Sequence, residues 1–340
     1  MSYAVMPLNE WQKIVNSVRS KTGKVEPLLS TQLAAEIDSI TVGSTDLSSF
    51  AQHIQGMKTE VTAEDLEGIT LIRDYAFYKQ NFTLIELPNT LQKIGEYAFA
   101  HSNLTQINIP DNVTEIGSKA FQSCENLTSI ILPPSLAEIK EGTFTGCTNL
   151  VNVNIPNGVT KIGNSAFQNC QQLNAADIPD SVTSIGNSAF SYCTSLTSVT
   201  VPDSVTTLGD GAFMRSSLET LVLGNGITHI PNNLCGYTLL KQLTLGNSVV
   251  SFGTTVFVNT KLTSVVLPST VTTMGVRVFW NGDIKEITCL AENPPTIQAN
   301  TFDGSFTKTC IFKVPAGSVE AYKAAPNWIA YADRIVAIEE

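Results

Sequence analysis

The sequence predicts a β-rich solenoid, in which a short coil of chain repeats along one axis. A proline recurs at a nearly constant spacing, an aromatic residue recurs between the prolines, and apolar and polar residues alternate before each proline. The step from Phe77 to Phe302 averages about 22.5 residues, within the range of repeats that bury their apolar faces only against their neighbours. A chain of 340 residues can therefore form one elongated body, because a solenoid grows lengthwise.

Two columns of residues define the repeat. The proline column consists of Pro88, Pro110, Pro133, Pro156, Pro179, Pro202 and Pro268, with Gly224 and Gly246 in two places. The aromatic column consists of Phe77, Phe99, Phe121, Phe144, Phe167, Phe190, Phe213, Phe257, Phe279 and Phe302, with Leu234 in one place. We expect the aromatic side chains to lie inside the coils.

Each unit begins with a short strand. Val199 and Val201 alternate with Ser198 and Thr200, which is the period of two expected of a strand with one buried face. Pro202 ends that strand, since proline cannot donate to a ladder. The following residues predict a second inward-facing segment and a tight turn at the aromatic. The repeat therefore predicts a parallel ladder of strands on one face of the solenoid.

The first 60 residues differ from the repeat and predict a small helical module with a linker. Apolar residues at helical spacing predict a helix over 7–19 and a second over 30–39. The stripe of the first helix consists of Leu8, Trp11, Val15 and Val18. Such short helices are marginal alone, so they must pack on each other, on the solenoid or on another chain. The stripe exceeds what one short partner helix needs, so we expect an attachment module through which residues 1–40 form a homo-oligomer.

The C-terminal residues also leave the repeat, as the end of a solenoid must cover its core. We divide the chain into the helical module (1–60), the solenoid (61–289) and a last coil with its cap (290–340). Residues 318–325 predict a helix after a turn. The side chains expected to plug the last coil are Tyr322, Trp328, Ile329 and Ile335.

Composition narrows the class of partner. Charged residues make up 15% of the chain, and the formal net charge is −10. An acidic protein of this kind is a poor partner for nucleic acid or for anionic lipid, since both favour a basic face. We expect no membrane insertion, because no apolar run reaches the roughly 18 residues of a membrane helix. The N-terminus lacks the pattern of a secretory signal, so we expect no signal peptide in this chain.

Four of the seven cysteines share one column of the predicted stack. Cys124, Cys147, Cys170 and Cys193 each come three residues after a repeat phenylalanine, whereas Cys235, Cys289 and Cys310 lie off that column. Paired coils lie about 4.8 Å apart, which allows a disulfide. The alternative is a ladder of small buried side chains, which we favour. No C-x-x-C occurs, so we expect no zinc site.

The sequence offers no constellation typical of an enzyme. The three histidines, His53, His101 and His229, are widely spaced, and no nucleophile elbow, phosphate loop or dinucleotide fingerprint occurs. We therefore predict a non-enzymatic protein with no catalytic residues, no metal and no cofactor.

The candidate ligand surface is the outward side of the strand ladder, a surface that solenoids use for binding. Its candidate residues are Gln106, Asn108, Ser129, Asn152, Asn154, Asp177, Ser198, Thr200, Thr220, Gln242, Thr244 and Glu286. The alternative is an inert, solvated face. Trp280, which follows a repeat phenylalanine, is a further candidate contact, and its alternative is local packing.

The repeated unit, (I/V)Pxx(V)TxIGxxAFxxCxxLTx(I/V), resembles the leucine-rich repeats of the BspA-like family from about residue 68 to the end. The closing segments NPPTI, at 293–297, and VPAGSVEAYK, at 314–323, resemble the C-terminal cap of that family. The resemblance implies a right-handed solenoid with a concave parallel sheet. It also implies adhesion, since members are mostly secreted or surface proteins that bind host matrix, cells or microbes.

A second resemblance concerns the N-terminal module. The segment LNEWQKIVNSVRSKTGKVEPLLSTQLAAEIDSI, at 8–40, is similar to the N-terminal module of phage and prophage tail-associated proteins of Gram-positive gut bacteria. That resemblance implies a module that precedes variable binding repeats, and it would explain the missing signal, since virions assemble in the cytoplasm.

Together these observations predict a recognition protein outside the cell. The first hypothesis is a phage or prophage tail-associated protein whose repeats bind a protein or glycan receptor on a bacterial surface. The alternative is a BspA-like bacterial surface adhesin that binds host matrix or host cells. The two hypotheses place the protein on a virion tail or on a bacterial cell surface, respectively.

Overall fold

The computed structural model describes residues 60–63, 66–302 and 309–339. The predicted helical module, apart from residue 60, lies outside these residues. The described chain is a solenoid of parallel strands, which confirms the predicted fold class. A typical coil contributes one strand to each of two faces and a tight turn to a third side.

The strands that precede the repeat prolines form the first face, here called the long-strand face. They are β1 (Glu60–Val61), β3 (Leu84–Ile85), β5 (Gln106–Asn108), β7 (Ser129–Ile131), β9 (Asn152–Asn154), β12 (Ser198–Val201), β14 (Thr220–Leu223), β16 (Gln242–Thr244), β18 (Ser264–Leu267), β20 (Glu286–Cys289), β22 (Ile311–Val314) and β23 (Ile335–Ala337). They pair in parallel in four groups, β1-β3, β5-β7-β9, β12-β14-β16 and β18-β20-β22-β23. A single bridge between Glu86 and Asn108 links the first two groups.

Two-residue strands that follow the prolines form the second face, here called the short-strand face. They are β2 (Leu71–Ile72), β4 (Lys93–Ile94), β6 (Glu115–Ile116), β8 (Glu138–Ile139), β10 (Lys161–Ile162), β11 (Ser184–Ile185), β13 (Thr207–Leu208), β15 (His229–Ile230), β17 (Ser251–Phe252), β19 (Thr273–Met274) and β21 (Thr296–Ile297). Their ladder is interrupted between β6 and β8 and between β13 and β15. At both interruptions the spacing between strands changes, from 22 to 23 residues and back.

The third side is the turn around the repeat phenylalanine, here called the turn side. The residues two before and two after each phenylalanine of the column from Phe77 to Phe279 have left-handed backbones, as at Ser165 and Asn169, with φ of 52° and 60°. From Phe77 to Phe257, the amide of each phenylalanine donates to the carbonyl of the residue before the next position of the column, as Phe167 N does to Ala189 O at 2.8 Å. The rings from Phe77 to Phe213 stack with centroids 5.2–5.7 Å apart. This offset stack forms the centre of the core.

The phenylalanine stack is interrupted at one coil, and there the structure corrects the predicted column. Asn233 and Tyr237 have left-handed φ of 53° and 61°, which frames Cys235 as the residue in the phenylalanine position. The backbone hydrogen bonds agree with this assignment. Phe213 N donates to Leu234 O at 3.0 Å, and Cys235 N donates to Val256 O in the next coil at 3.1 Å. Leu234 therefore occupies the preceding column, where Ala212 stands in the coil before. Assigning Leu234 to the aromatic column was wrong by one residue, because both positions are buried.

All seven cysteines lie in the described part of the chain, and each is a buried free thiol. In the shared column, each thiol donates to the phenylalanine carbonyl of the coil before it; Cys147 Sγ, for example, lies 3.1 Å from Phe121 O. Burial raises the pKa of Cys124 to about 11 and that of Cys193 to about 12. The favoured interpretation of the column, a ladder of buried small side chains, is confirmed.

The C-terminal cap closes the end of the phenylalanine stack. A 3-10 turn (Ala316–Ser318), a helix α1 (Val319–Ala324) and a 3-10 helix (Trp328–Arg334) follow β22. Trp328 packs against Phe302, the last ring of the stack, with centroids 5.4 Å apart, and its indole donates to Pro295 O at 2.8 Å.

Three of the four predicted plug residues are buried, namely Tyr322, Trp328 and Ile335. Ile329 is 65% exposed, so its assignment to the plug was wrong. It follows Trp328 on a helical turn and points away from the side that covers the core. In the described residues, the helices are all too short and too polar to cross a membrane.

Candidate functional site

The structure places the predicted ligand residues along the long-strand face, in step with the coils. Ten of them are exposed, namely Gln106, Asn108, Ser129, Asn152, Asn154, Asp177, Ser198, Thr200, Gln242 and Thr244. Thr220 and Glu286 are half-buried. Strand alternation causes this arrangement, because the intervening residues point into the core. Ligand binding by these residues stays a prediction.

Some of these side chains are occupied by contacts between coils. The Glu286 carboxylate pairs with Lys313 Nζ at 2.8 Å, and the Thr220 hydroxyl donates to Gln242 Oε1 at 3.5 Å. An ion pair or a hydrogen bond along the stack leaves less capacity for a ligand. The C-terminal part of the face is therefore less available for polar recognition than its central part.

The long-strand face is interrupted in its central part. Residues 174–178 occupy the place of a strand between β9 and β12, yet none of them is assigned to one. The inward residue of this coil is Ala176, where the neighbouring strands have Val153 and Val199. Alanine fills less of the core and favours a strand less than a β-branched residue does. The chain at this coil therefore departs from the ladder.

A recess of about 400 Å³ opens beside the interrupted strand. It brings together three of the predicted residues, Asn152, Asn154 and Asp177. Its other lining residues are Val153, Ile155, Asn157, Ala175, Ile178 and Pro179. Ile178 is only partly buried, whereas Ile155, which holds the same position one coil earlier, is 5% exposed. The recess thus has an apolar floor and a polar rim.

The rim presents three amides and a carboxylate. A second recess shares Asn157, Ile178 and Pro179 with the first and adds Asp180 and Ser181. Amide and carboxylate groups both accept hydrogen bonds, and the amides also donate them. A surface of this kind suits a ligand rich in hydroxyl or amide groups, such as a glycan or a peptide backbone.

Sequence reasoning did not identify Asn157, Ile178 and Pro179 as site residues. A signal was present in Ala176, the one small residue among the inward strand positions from Ile107 to Val265. Only the pairing of neighbouring coils shows that the coil with this alanine lacks the strand, so the recess could not be located from the repeat alone.

Trp280, the predicted aromatic contact, lies on the turn side and is half-buried. The guanidinium carbon of Arg277 lies 5.3 Å from its ring centroid. Phe279 beside it is 1% exposed. Trp280 is therefore more accessible than Phe279, but one side of its ring already has a cationic neighbour.

The described histidines have ordinary structural contacts. His229 Nδ1 lies 2.8 Å from the hydroxyl of Ser251 in the next coil, and His101 meets the edge of Tyr78 at 5.5 Å. In the part of the chain that the structure describes, no three histidine, cysteine or acidic residues are grouped as metal ligands.

Comparison with known families gives a match over most of the solenoid. The BspA type leucine-rich-repeat region, described as six copies, matches residues 70–197 and 183–309. A search of the curated proteins finds no match to this chain.

Solved structures give further matches. A leucine-rich-repeat protein of Bacteroides ovatus is 25% identical with a TM-score of 0.58, over 80% of this chain and 76% of that one. The leucine-rich-repeat protein of T. pallidum is 32% identical with a TM-score of 0.43, over 45% of this chain and 75% of that one. The pneumococcal vaccine antigen PcpA is 19% identical with a TM-score of 0.48, over 83% of this chain and 79% of that one.

Proposed function

The chain belongs to the BspA-type leucine-rich-repeat family, and we propose that it is a non-enzymatic recognition protein that binds a receptor on a cell surface. A solenoid of this kind offers a long, regular surface rather than a closed catalytic cleft. The receptor is a protein or a glycan, since the acidic chain is a poor match for nucleic acid.

One observation carries the proposal, namely the interruption of the long-strand face at residues 174–178. The recess beside it combines an apolar floor with the polar groups of Asn152, Asn154 and Asp177. Convergent polar groups over an apolar floor are typical of binding sites. A regular coil would close this recess, so the departure from the repeat has a consequence for binding.

The test is a variant that restores the regular coil. Ala175→Ser, Ala176→Val and Asp177→Thr together reproduce the first three residues of β12, Ser198 to Thr200. We expect receptor binding to fall by about tenfold or more, while the free energy of unfolding rises by about 1–2 kcal/mol because the larger valine side chain fills the core. A loss of binding with a gain in stability cannot come from misfolding.

The matched control changes exposed residues of an unbroken strand. Ser264→Ala with Val266→Ala alters the exposed residues of β18 on the same face, which are not among the candidate ligand residues, and should leave binding unchanged. Equal binding by the restored-coil variant and the wild type would contradict the recess as the contact site. Binding is measured with the fluorescently labelled protein on Gram-positive gut bacteria, fibronectin-coated wells and epithelial cells.

The same measurement separates two settings for the protein. The N-terminal segment at 8–40 supports a phage or prophage tail-associated protein, and binding to bacteria alone would favour it. Membership of the family supports a bacterial surface adhesin, and binding to matrix or epithelium alone would favour that. In either setting we place the repeats outside the cell.

The non-enzymatic part of the proposal has its own test. Incubation of the purified protein with bacterial wall glycans should release no soluble product above the level without protein. Cleavage that depends on the protein would refute this part.

A further inference from the structure

The turn side carries a column of residues whose backbone is left-handed, two positions after each residue of the phenylalanine column from Phe77 to Phe279. This conformation is unfavourable for residues with a bulky side chain and suits glycine and asparagine. Several coils accordingly place Gly146, Asn169, Asn259 or Asn281 there. Besides Lys79 and His101 in the first coils, bulky residues occupy the column in three consecutive coils.

Those three residues are Tyr192, Arg215 and Tyr237, with φ of 60°, 58° and 61°. Each has a backbone conformation that costs on the order of 1 kcal/mol or more for such a residue. Asparagine or glycine would relieve that cost at the same place. Bulky side chains kept at an unfavourable backbone are frequent at functional positions.

The three side chains form a stack on the protein surface. The guanidinium carbon of Arg215 lies 5.7 Å from the ring centroid of Tyr192 and 4.7 Å from that of Tyr237. Tyr192 is 39% exposed and Tyr237 is 45% exposed, and Arg215 is exposed between them. The two rings hold the guanidinium group in place, which reduces the entropy lost when it binds a ligand.

Arg215 also retains its full capacity for an anion. It forms no ion pair with any residue in the described part of the chain. The stack at the N-terminal end differs in this respect, because Lys119 lies over Tyr97 at 5.5 Å but pairs with Glu141 at 3.4 Å. The stack around Arg215 thus combines a preoriented guanidinium, unpaired among the described residues, with two phenol hydroxyls.

We propose that Tyr192, Arg215 and Tyr237 form a second binding site, which takes a carboxylated sugar of a surface glycan. The guanidinium fork binds the carboxylate through two parallel hydrogen bonds. The phenols on either side supply hydroxyl donors and apolar ring surface for the hydroxyls and C–H groups that surround a sugar carboxylate. Asn169 and Asn259 extend the column with amides at both ends. The site lies on the turn side and does not depend on the recess.

The test is a titration of the full chain with defined oligosaccharides. The acidic probes are tetragalacturonate, a hyaluronan tetrasaccharide and sialyllactose, and the neutral probe is tetragalacturonate with all carboxylates methyl-esterified. We expect at least one acidic probe to bind with a dissociation constant of about 1 mM or tighter, and the methyl ester to bind at least about tenfold more weakly than the free acid.

Substitutions assign the binding to the stack. Arg215→Gln removes the charge and should weaken binding of the acidic probe by about tenfold or more. Arg215→Lys keeps the charge but loses the two parallel hydrogen bonds of the guanidinium, so its affinity for the acidic probe should lie between that of Arg215→Gln and that of the wild type. Tyr192→Ala and Tyr237→Ala should each weaken binding by several-fold.

Two controls keep the proposal falsifiable. Arg277→Gln removes another exposed cation on an aromatic ring and should leave binding unchanged. The restored-coil variant should bind the acidic probe as the wild type does, so failure of the recess and failure of this site are distinguishable. No binding of any acidic probe at several millimolar, or unchanged binding by a folded Arg215→Gln variant, would overturn the proposal.

Discussion

At the scale of single residues, the position in the coil decides which chemistry a side chain can have. The column three residues after the phenylalanine contains Cys147 and Cys170 in some coils and Ser216 and Thr238 in others. All four are buried, and each donates to a backbone carbonyl. Either a thiol or a hydroxyl can occupy this column, because the position needs a small side chain that donates a hydrogen bond to a backbone carbonyl.

The first prediction concerns the reactivity of these thiols. Burial raises the pKa of Cys124 and Cys193 to about 11 and about 12, so both stay protonated at pH 8. We expect the native protein to react with Ellman's reagent only at the rate of unfolding, and all seven thiols to react in denaturant. Fast native labelling of a cysteine in this column would contradict the structure.

The same burial predicts how stability depends on pH. The folded thiols have a pKa above the ordinary value of 9.0, so the unfolded chain loses thiol protons first as the pH rises. The free energy of unfolding should be independent of these groups below pH 9 and should fall above it. Chemical denaturation at pH 8 and pH 10 checks this, with the Cys147→Ser and Cys170→Ser double variant showing a smaller fall.

At the scale of one coil, a larger side chain in one column compensates for a smaller side chain in the neighbouring column. The coil with Leu234 and Cys235 has a larger residue in the alanine column and a smaller one in the phenylalanine column than the coil with Ala212 and Phe213. Both pairs are fully buried. The coil therefore keeps the core filled although its ring is missing from the stack.

The second prediction tests this exchange. Leu234→Ala alone leaves a cavity and should lower the free energy of unfolding by about 2–5 kcal/mol. Cys235→Phe alone overfills the coil and should lower it by about 1–3 kcal/mol. The double variant reproduces the Ala–Phe pair of the preceding coil. Its free energy of unfolding should fall by much less than the sum of the losses of the two single variants. Urea unfolding gives all four values, and additive losses would contradict the assignment of Cys235 to the phenylalanine column.

At the scale of the whole molecule, the two candidate sites lie on different sides of one elongated body. The recess is on the long-strand face, and the stack around Arg215 is on the turn side, a few coils further along the chain. Several copies of the chain on one support would multiply a weak single contact, because linked sites bind with a raised effective concentration.

The third prediction therefore concerns self-association, which we assign to residues 1–40. The stripe of that region includes Trp11 and Val15. Replacing both with glutamate in the full chain should turn an oligomer into a monomer, since a charge cannot be buried in an apolar helix interface without a partner. Light scattering measures the mass of each form. A wild-type monomer at micromolar concentration would contradict the prediction.

The repeat determined the fold of residues 68–302 from the sequence alone. A period of about 22.5 residues brings like residues together in every coil, so the buried phenylalanines, the cysteine column and the exposed residues of the long-strand face all follow from spacing. The plug of Tyr322 and Trp328 follows from the need to cover the last coil. The exposure of Ile329 could not be predicted in this way, because the direction of a side chain on a short helix depends on how that helix packs.

Only the tertiary structure decided where the repeat departs from its own rule. The stacking of neighbouring coils shows that the coil of Ala176 lacks the strand, that Cys235 replaces a phenylalanine, and that Arg215 lies between two tyrosines. Each of these depends on contacts between residues about 22 positions apart and on backbone conformation, neither of which a pattern within one coil contains. Periodicity therefore specified the regular architecture, and the stacking of one coil on the next specified the irregular places that we propose as binding sites.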